Sequence, residues 1–94
     1  MSKPDADAAH VRTLLQQGAT LVDVRSPGEF ASGHLDGAIN IPVDQISARA
    51  REIPEGKPVV LYCRSGARSS AAASALRNAG RSNVVNAGAM SNLQ

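Results

Sequence analysis

The sequence predicts an α/β domain built on a parallel sheet of about four strands, and three observations predict it. Short aliphatic runs at 20–24, 38–41, 59–62 and 83–86 alternate with segments of helical spacing, the pattern of βαβ units with right-handed crossovers. The hydrophobic content is 43%, yet the only aromatic residues are Phe30 and Tyr62. A core of Val, Leu, Ile and Ala packs well between helices and a parallel sheet. The connections are short and rich in glycine and proline, so 94 residues read as one domain spanning 1–94, without internal repeats.

Each element has its own signal. In 5–17, Ala8, Val11, Leu14 and Leu15 lie at helical spacing, Asp5 and Asp7 favour the N-terminus, and Gly18 stands at the stop. The run 20–24 reads as a buried strand. Ser26 and Pro27 are the N-cap and first turn of a short helix. Residues 33–37 are turn material before a short strand stopped by Pro42. Val43, Ile46, Ala50 and Ile53 predict a helix over 43–53. A turn at 54–58 leads to the clearest strand, 59–62. An alanine-rich helix over 69–79 closes at Gly80, and 83–86 is the last strand.

Composition excludes several function classes. The net charge is +2, and eight of the ten basic residues are arginines scattered along the chain. A nucleic-acid surface requires a basic cluster, with stacking aromatics for single strands, so no nucleic-acid partner is expected. A single cysteine excludes a disulfide framework and any multi-cysteine metal site, and His10 and His34 are not at ligand spacing from it. No apolar run has the length of a membrane span, and the N-terminus lacks a signal-peptide core. A cytoplasmic monomer with no membrane association is therefore expected; a periplasmic location stays open where a signal has been removed.

The chemistry concentrates in Cys63-Arg64-Ser65-Gly66-Ala67-Arg68, between the strongest strand and a helix. Ligands of open α/β sheets bind beyond the carboxyl ends of strands, where a strand hands over to a helix. A helix N-terminus offers unpaired N–H groups and a positive dipole end, and Gly66 lets the loop curl so that its amides face inward. With Arg64 and Arg68 adding positive charge, the Cys63 thiol is expected to ionise near neutral pH. Arg68 at a helix start opposes the dipole and so requires a compensating anion. Ser65 and Ser69 read equally as further donors to the sulfur or as helix caps. Arg25 and Glu29, four residues apart, read as an ion pair. Asp23 and His34 read as hydrogen-bonding fasteners of the surrounding loops.

At these residues the chain resembles the rhodanese family of sulfurtransferases, and the resemblance runs over nearly its whole length. Leu21-Val22-Asp23-Val24-Arg25 is similar to the family's opening strand motif. Glu29-Phe30 followed by Gly33-His34-Leu35-Asp36-Gly37-Ala38-Ile39-Asn40-Ile41-Pro42 is similar to its central signature. Val59 through Ser69 is similar to its active-site loop, and Asn83 through Met90 to the ending of small single-domain members.

The resemblance implies a three-layer α/β/α rhodanese-like fold in which the Thr20 and Val59 strands are neighbours where strand order reverses. It implies Cys63 as the catalytic nucleophile, with Arg64, Ser65, Gly66, Ala67 and Arg68 as the substrate-binding loop. Sulfane sulfur from thiosulfate or a similar donor would pass through a Cys63 persulfide, with no cofactor, to cyanide or a small or protein thiol. Two other classes remain: a binding module on the same scaffold, and a phosphatase or arsenate reductase. The latter carry a longer loop than the four residues that separate Cys63 from Arg68, so loop length favours sulfur transfer. Family members also begin with a strand before the first helix. Its absence here predicts an exposed sheet edge beside the 83–86 strand.

Overall fold

The computed structural model describes residues 4–94; the start of the N-terminus read above, residues 1–3, lies outside the described residues. The chain runs α1 (Ala8–Gln16), β1 (Thr20–Asp23), α2 (Pro27–Ser32), β2 (Ile39–Asn40), β3 (Val59–Cys63), α3 (Ala67–Asn78) and β4 (Val84–Ala89), with a closing 3-10 turn at Met90–Leu93. All four strands are parallel, in the order β2-β1-β3-β4. Thr20 stands opposite Val59 and Asp23 opposite Tyr62, so the order reverses between β1 and β3 as expected.

Alternation along the strands divides the core into two layers. Val22, Val59, Leu61 and Cys63 face Ala72, Ala73 and Leu76 of α3, together with Ile41, Ile46 and Ile53. Leu21, Val60 and Tyr62 point the other way, against Val11, Leu14 and Leu15 of α1 and against Leu35 and Leu93. Sheet residues 59–63 are all buried, which makes β3 the central strand of a three-layer arrangement.

Local chemistry explains the helix starts. Asp7 caps α1 by accepting from the His10 amide at 2.9 Å. In α2 a reciprocal capping box joins Ser26 and Glu29: the Glu29 amide donates to Ser26 Oγ at 3.3 Å, and the Ser26 amide to Glu29 Oε1 at 3.1 Å.

Two expectations are corrected. The helix expected over 43–53 is instead a pair of 3-10 turns, Val43–Gln45 and Ala50–Glu52. Ile46 and Ile53 are buried as the spacing requires, but each lies three residues after its partner, the period of a 3-10 turn. Arg81 reaches across to take the Ala50 and Ile53 carbonyls at 2.9 and 2.6 Å. That tie ends the segment from outside it.

The edge beside β4 is not bare. The Asp5 amide donates to the Asn86 carbonyl at 2.7 Å, and Asp5 Oδ2 accepts from the Asn86 amide and from Arg77, both at 2.9 Å. A single residue thus occupies part of that edge. β4 also runs three residues beyond 86. Its register slips between Leu61 and Tyr62, and the Gly88 amide, at φ +82°, folds back onto Asn86 Oδ1 at 2.9 Å.

Candidate active site

The loop after β3 winds into α3 two residues earlier than the sequence pattern implied, and this shift builds the site. Gly66 is the N-cap, at φ +98° and ψ −15°, and has no side chain of its own with which to cap the helix. The unpaired first-turn amides need an acceptor, and the Cys63 sulfur supplies it. Gly66 N donates to Cys63 Sγ at 3.0 Å and Ser69 N at 3.3 Å. Ser69 Oγ lies 3.4 Å from Sγ and 3.1 Å from the Gly66 carbonyl. Its single proton bonds Gly66 while the thiol donates to Ser69, and it is free to turn toward the sulfur once the thiol ionises.

Cys63 and Ser69 are fully buried. Burial alone would push the Cys63 thiol up. Donors outweigh it, with the Ser69 hydroxyl and amide first and the Gly66 and Ser65 amides after them, so the pKa is held below the ordinary thiol value. The arginines play a smaller part than charge counting implied. Neutral dipoles, not the two arginines, dominate the sulfur's surroundings.

Arg68 has its compensating anion in Glu29. The pair is bidentate, Nη1 to Oε1 at 2.7 Å and Nη2 to Oε2 at 3.0 Å. The expected Arg25–Glu29 pair is thereby corrected: Arg25 turns inward to Asp23, and Glu29 outward to Arg68. The Arg68 guanidinium, with help from Ser26, holds the Glu29 carboxyl far below the usual carboxylate range. Arg64 and Ser65 are exposed, as is Ala67, and Arg64 has no carboxylate partner among the described residues.

Beneath the neighbouring loop lies a closed polar cluster. Arg25 donates through Nε and Nη2 to the fully buried Asp23, the closest contact 2.7 Å, and through Nη2 to the Gly33 carbonyl at 2.6 Å. The Asn40 amide bonds the Asp23 and Arg25 carbonyls at 2.9 and 3.0 Å. Tyr62 Oη accepts from the Leu35 amide at 3.1 Å, and burial pushes its phenol up to about 12, so it stays neutral. His34 stacks on Phe30, ring centroids 3.7 Å apart, and its Nδ1 meets the Phe30 carbonyl at 2.8 Å. Asp23 and His34 are thus fasteners. Sequence reasoning missed Glu29 as the partner of Arg68; the signal was the cation at a helix start that needed an anion.

A buried sulfur at the carboxyl end of the central strand, ringed by amides at a helix N-terminus, defines a single-cysteine anion cradle on a doubly wound sheet. The chain belongs to the Rhodanese-like domain family, whose profile matches residues 7–92. It is 39% identical over 82 residues to a sulfurtransferase of Allochromatium vinosum, covering 87% of this chain and 77% of that protein. It is 38% identical over 73 residues to the thiosulfate sulfurtransferase GlpE of Pseudomonas syringae pv. syringae, covering 78% and 69%. For three other relatives the chain spans only 54%, 42% and 38% of their length. A rhodanese-related protein of Thermoplasma volcanium superposes with a TM-score of 0.82 at 27% identity, over 97% of this chain and 90% of that one.

Proposed function

We propose that the chain is a sulfurtransferase in which Cys63 carries sulfane sulfur as a persulfide, with thiosulfate or a similar anion as donor. The Cys63 thiolate attacks the outer sulfur of thiosulfate. The sulfur–sulfur bond of the donor breaks, and its electron pair leaves with sulfite. The persulfide anion then inherits the amide donors that now face Sγ. In the second step a cyanide or thiolate attacks the outer sulfur, and Cys63 departs as thiolate. No external oxidant or cofactor enters either step.

The observation that carries this reading is the convergence of Gly66 N, at 3.0 Å, and Ser69 N, at 3.3 Å, on one sulfur whose thiol is lowered despite full burial. Arg64 attracts the donor anion and offsets the charge on departing sulfite. Arg68 acts through Glu29, holding the loop against α2. Because Cys63 exposes no surface, the loop must open to admit the donor. The relative named as a thiosulfate sulfurtransferase supports the choice of donor.

The test follows thiocyanate release from thiosulfate and cyanide, with p-nitrophenol release from p-nitrophenyl phosphate measured in parallel. Thiocyanate alone is expected. Phosphate-ester hydrolysis without thiocyanate would assign the cradle to the phosphatase class, and silence in both would leave a binding module.

A further inference from the structure

The two arginines of the loop are disposed of differently. Arg64 is exposed and has no carboxylate partner among the described residues. Arg68, in the first turn of α3, stands directly before Ser69, whose amide and hydroxyl face the sulfur. Its pKa is raised above the ordinary arginine value, first by its bonds to Glu29 and more weakly by the charge of Cys63. The field of Arg68 thus reaches the reactive sulfur, and this is the cation that the fold neutralises.

The neutralising carboxylate is fixed before Arg68 meets it. Glu29 Oε1 accepts from the Ser26 amide at 3.1 Å and from the Ser26 hydroxyl at 3.0 Å, at the start of α2. The same oxygen takes Arg68 Nη1 at 2.7 Å, and Oε2 takes Nη2 at 3.0 Å. Both terminal nitrogens of the guanidinium are engaged by a carboxylate that the local backbone holds still. A carboxylate and a tetrahedral oxyanion compete for the same planar fork. Amides at a helix start already attract an anion; a free guanidinium beside them adds most to one with two charges and several oxygens.

We propose that Glu29 sets the anion selectivity of the Cys63 cradle: by holding Arg68 it denies tetrahedral oxyanions a guanidinium and leaves amides, which suit a single sulfur. Glu29 acts through Arg68 and touches no reacting atom, so it is a positioning residue. Thiosulfate meets the same rule by presenting its outer sulfur to the amides, its oxygens remaining outside beside Arg64. Selectivity thus lies in a pair that joins α2 to α3, in addition to loop length. This goes beyond the persulfide reading and does not rest on it, since it concerns which anions enter and not what Cys63 does to them.

The experiment measures how sodium sulfate protects Cys63 from iodoacetamide, a neutral reagent, with sodium chloride holding ionic strength constant. Sulfate carries two charges throughout the neutral range. The full chain is compared with Glu29→Gln and with the double variant Glu29→Gln/Arg68→Gln. Glutamine at this position keeps the capping box, so α2 retains its start. In Glu29→Gln the half-protecting sulfate concentration is expected to fall about fivefold, the worth of one screened charge. In the double variant it should return to the parent value or above. An unchanged concentration in Glu29→Gln overturns the proposal. So does a fall that persists in the double variant, because it would come from lost repulsion and not from a freed Arg68. The mass of the thiosulfate adduct, read on the same proteins without sulfate, reports the persulfide step separately. Its absence would sink that step and leave the selectivity result standing.

Discussion

The loops that leave β1 and β3 lie side by side at the carboxyl end of the sheet, and they use buried polar groups in opposite ways. After β1, the buried charges are answered close by: Asp23 by Arg25, Arg25 also by the Gly33 carbonyl, and the Asp23 and Arg25 carbonyls by Asn40 of β2. After β3, donors from Gly66 and Ser69 converge on one sulfur, and the nearby cation Arg68 is turned away to Glu29. The first arrangement closes and holds. The second leaves an ionisable atom in a field of dipoles, which costs no reorganisation when charge develops. Stability is thus concentrated in one loop and reactivity in its neighbour.

The largest expected effect breaks the first loop. Asp23→Ala leaves the Arg25 guanidinium buried and unpaired, a loss of about 3–5 kcal/mol. A domain of this size has on the order of 5–15 kcal/mol in total. Urea unfolding should show that loss, while the folded fraction keeps persulfide formation within a few-fold of the parent. A variant with full stability and no transfer would reverse the assignment of the two loops.

Gly66→Ala addresses the second loop. Its φ of +98° is strained for any other residue, at about 1–2 kcal/mol, and relief of that strain carries the Gly66 amide off the sulfur. Thiosulfate:cyanide turnover should fall at least tenfold, a larger relative change than in stability.

Ser69→Ala is expected to be milder, about two- to tenfold in rate at neutral pH, the worth of one hydrogen bond. The sign follows from the donor: the Ser69 hydroxyl lowers the Cys63 thiol, so its loss raises it. The pH profile of iodoacetamide alkylation should move to higher pH. An unmoved profile would leave the lowering to the Ser69, Gly66 and Ser65 amides and remove the hydroxyl from the account.

Glu29→Gln should be the smallest. Because the Glu29 carboxyl is depressed, its stabilising contribution is complete above the ordinary carboxylate pKa. It is lost only as pH falls through the depressed value. The pair is only half-buried, so solvent screens part of its attraction. The variant should shift the unfolding midpoint less than Asp23→Ala does, and should shallow the acid limb of the stability profile.

Much of this was legible in the sequence because it is local. The strand runs, the Ser26 and Pro27 helix start, and the Cys63 loop between strand and helix each carry their signal within a few residues. Three other features depend on partners far along the chain. The 43–53 segment is ended by Arg81, and the β4 edge is covered by Asp5. Glu29 chooses Arg68, 39 residues away, over Arg25. Helical spacing at Val43, Ile46, Ala50 and Ile53 was a true burial pattern, but a spacing of three serves a 3-10 turn as well as an α-helix. The early start of α3 had no sequence signal, since the group that caps it is the cysteine itself.

The most direct measurement is the intact mass of the full chain after incubation with thiosulfate, before and after cyanide, beside Cys63→Ser. The parent chain should gain the mass of one sulfur atom and lose it to cyanide as thiocyanate, and the variant should do neither. A parent chain that gains no sulfur, or a serine variant that gains it equally, would contradict the persulfide mechanism.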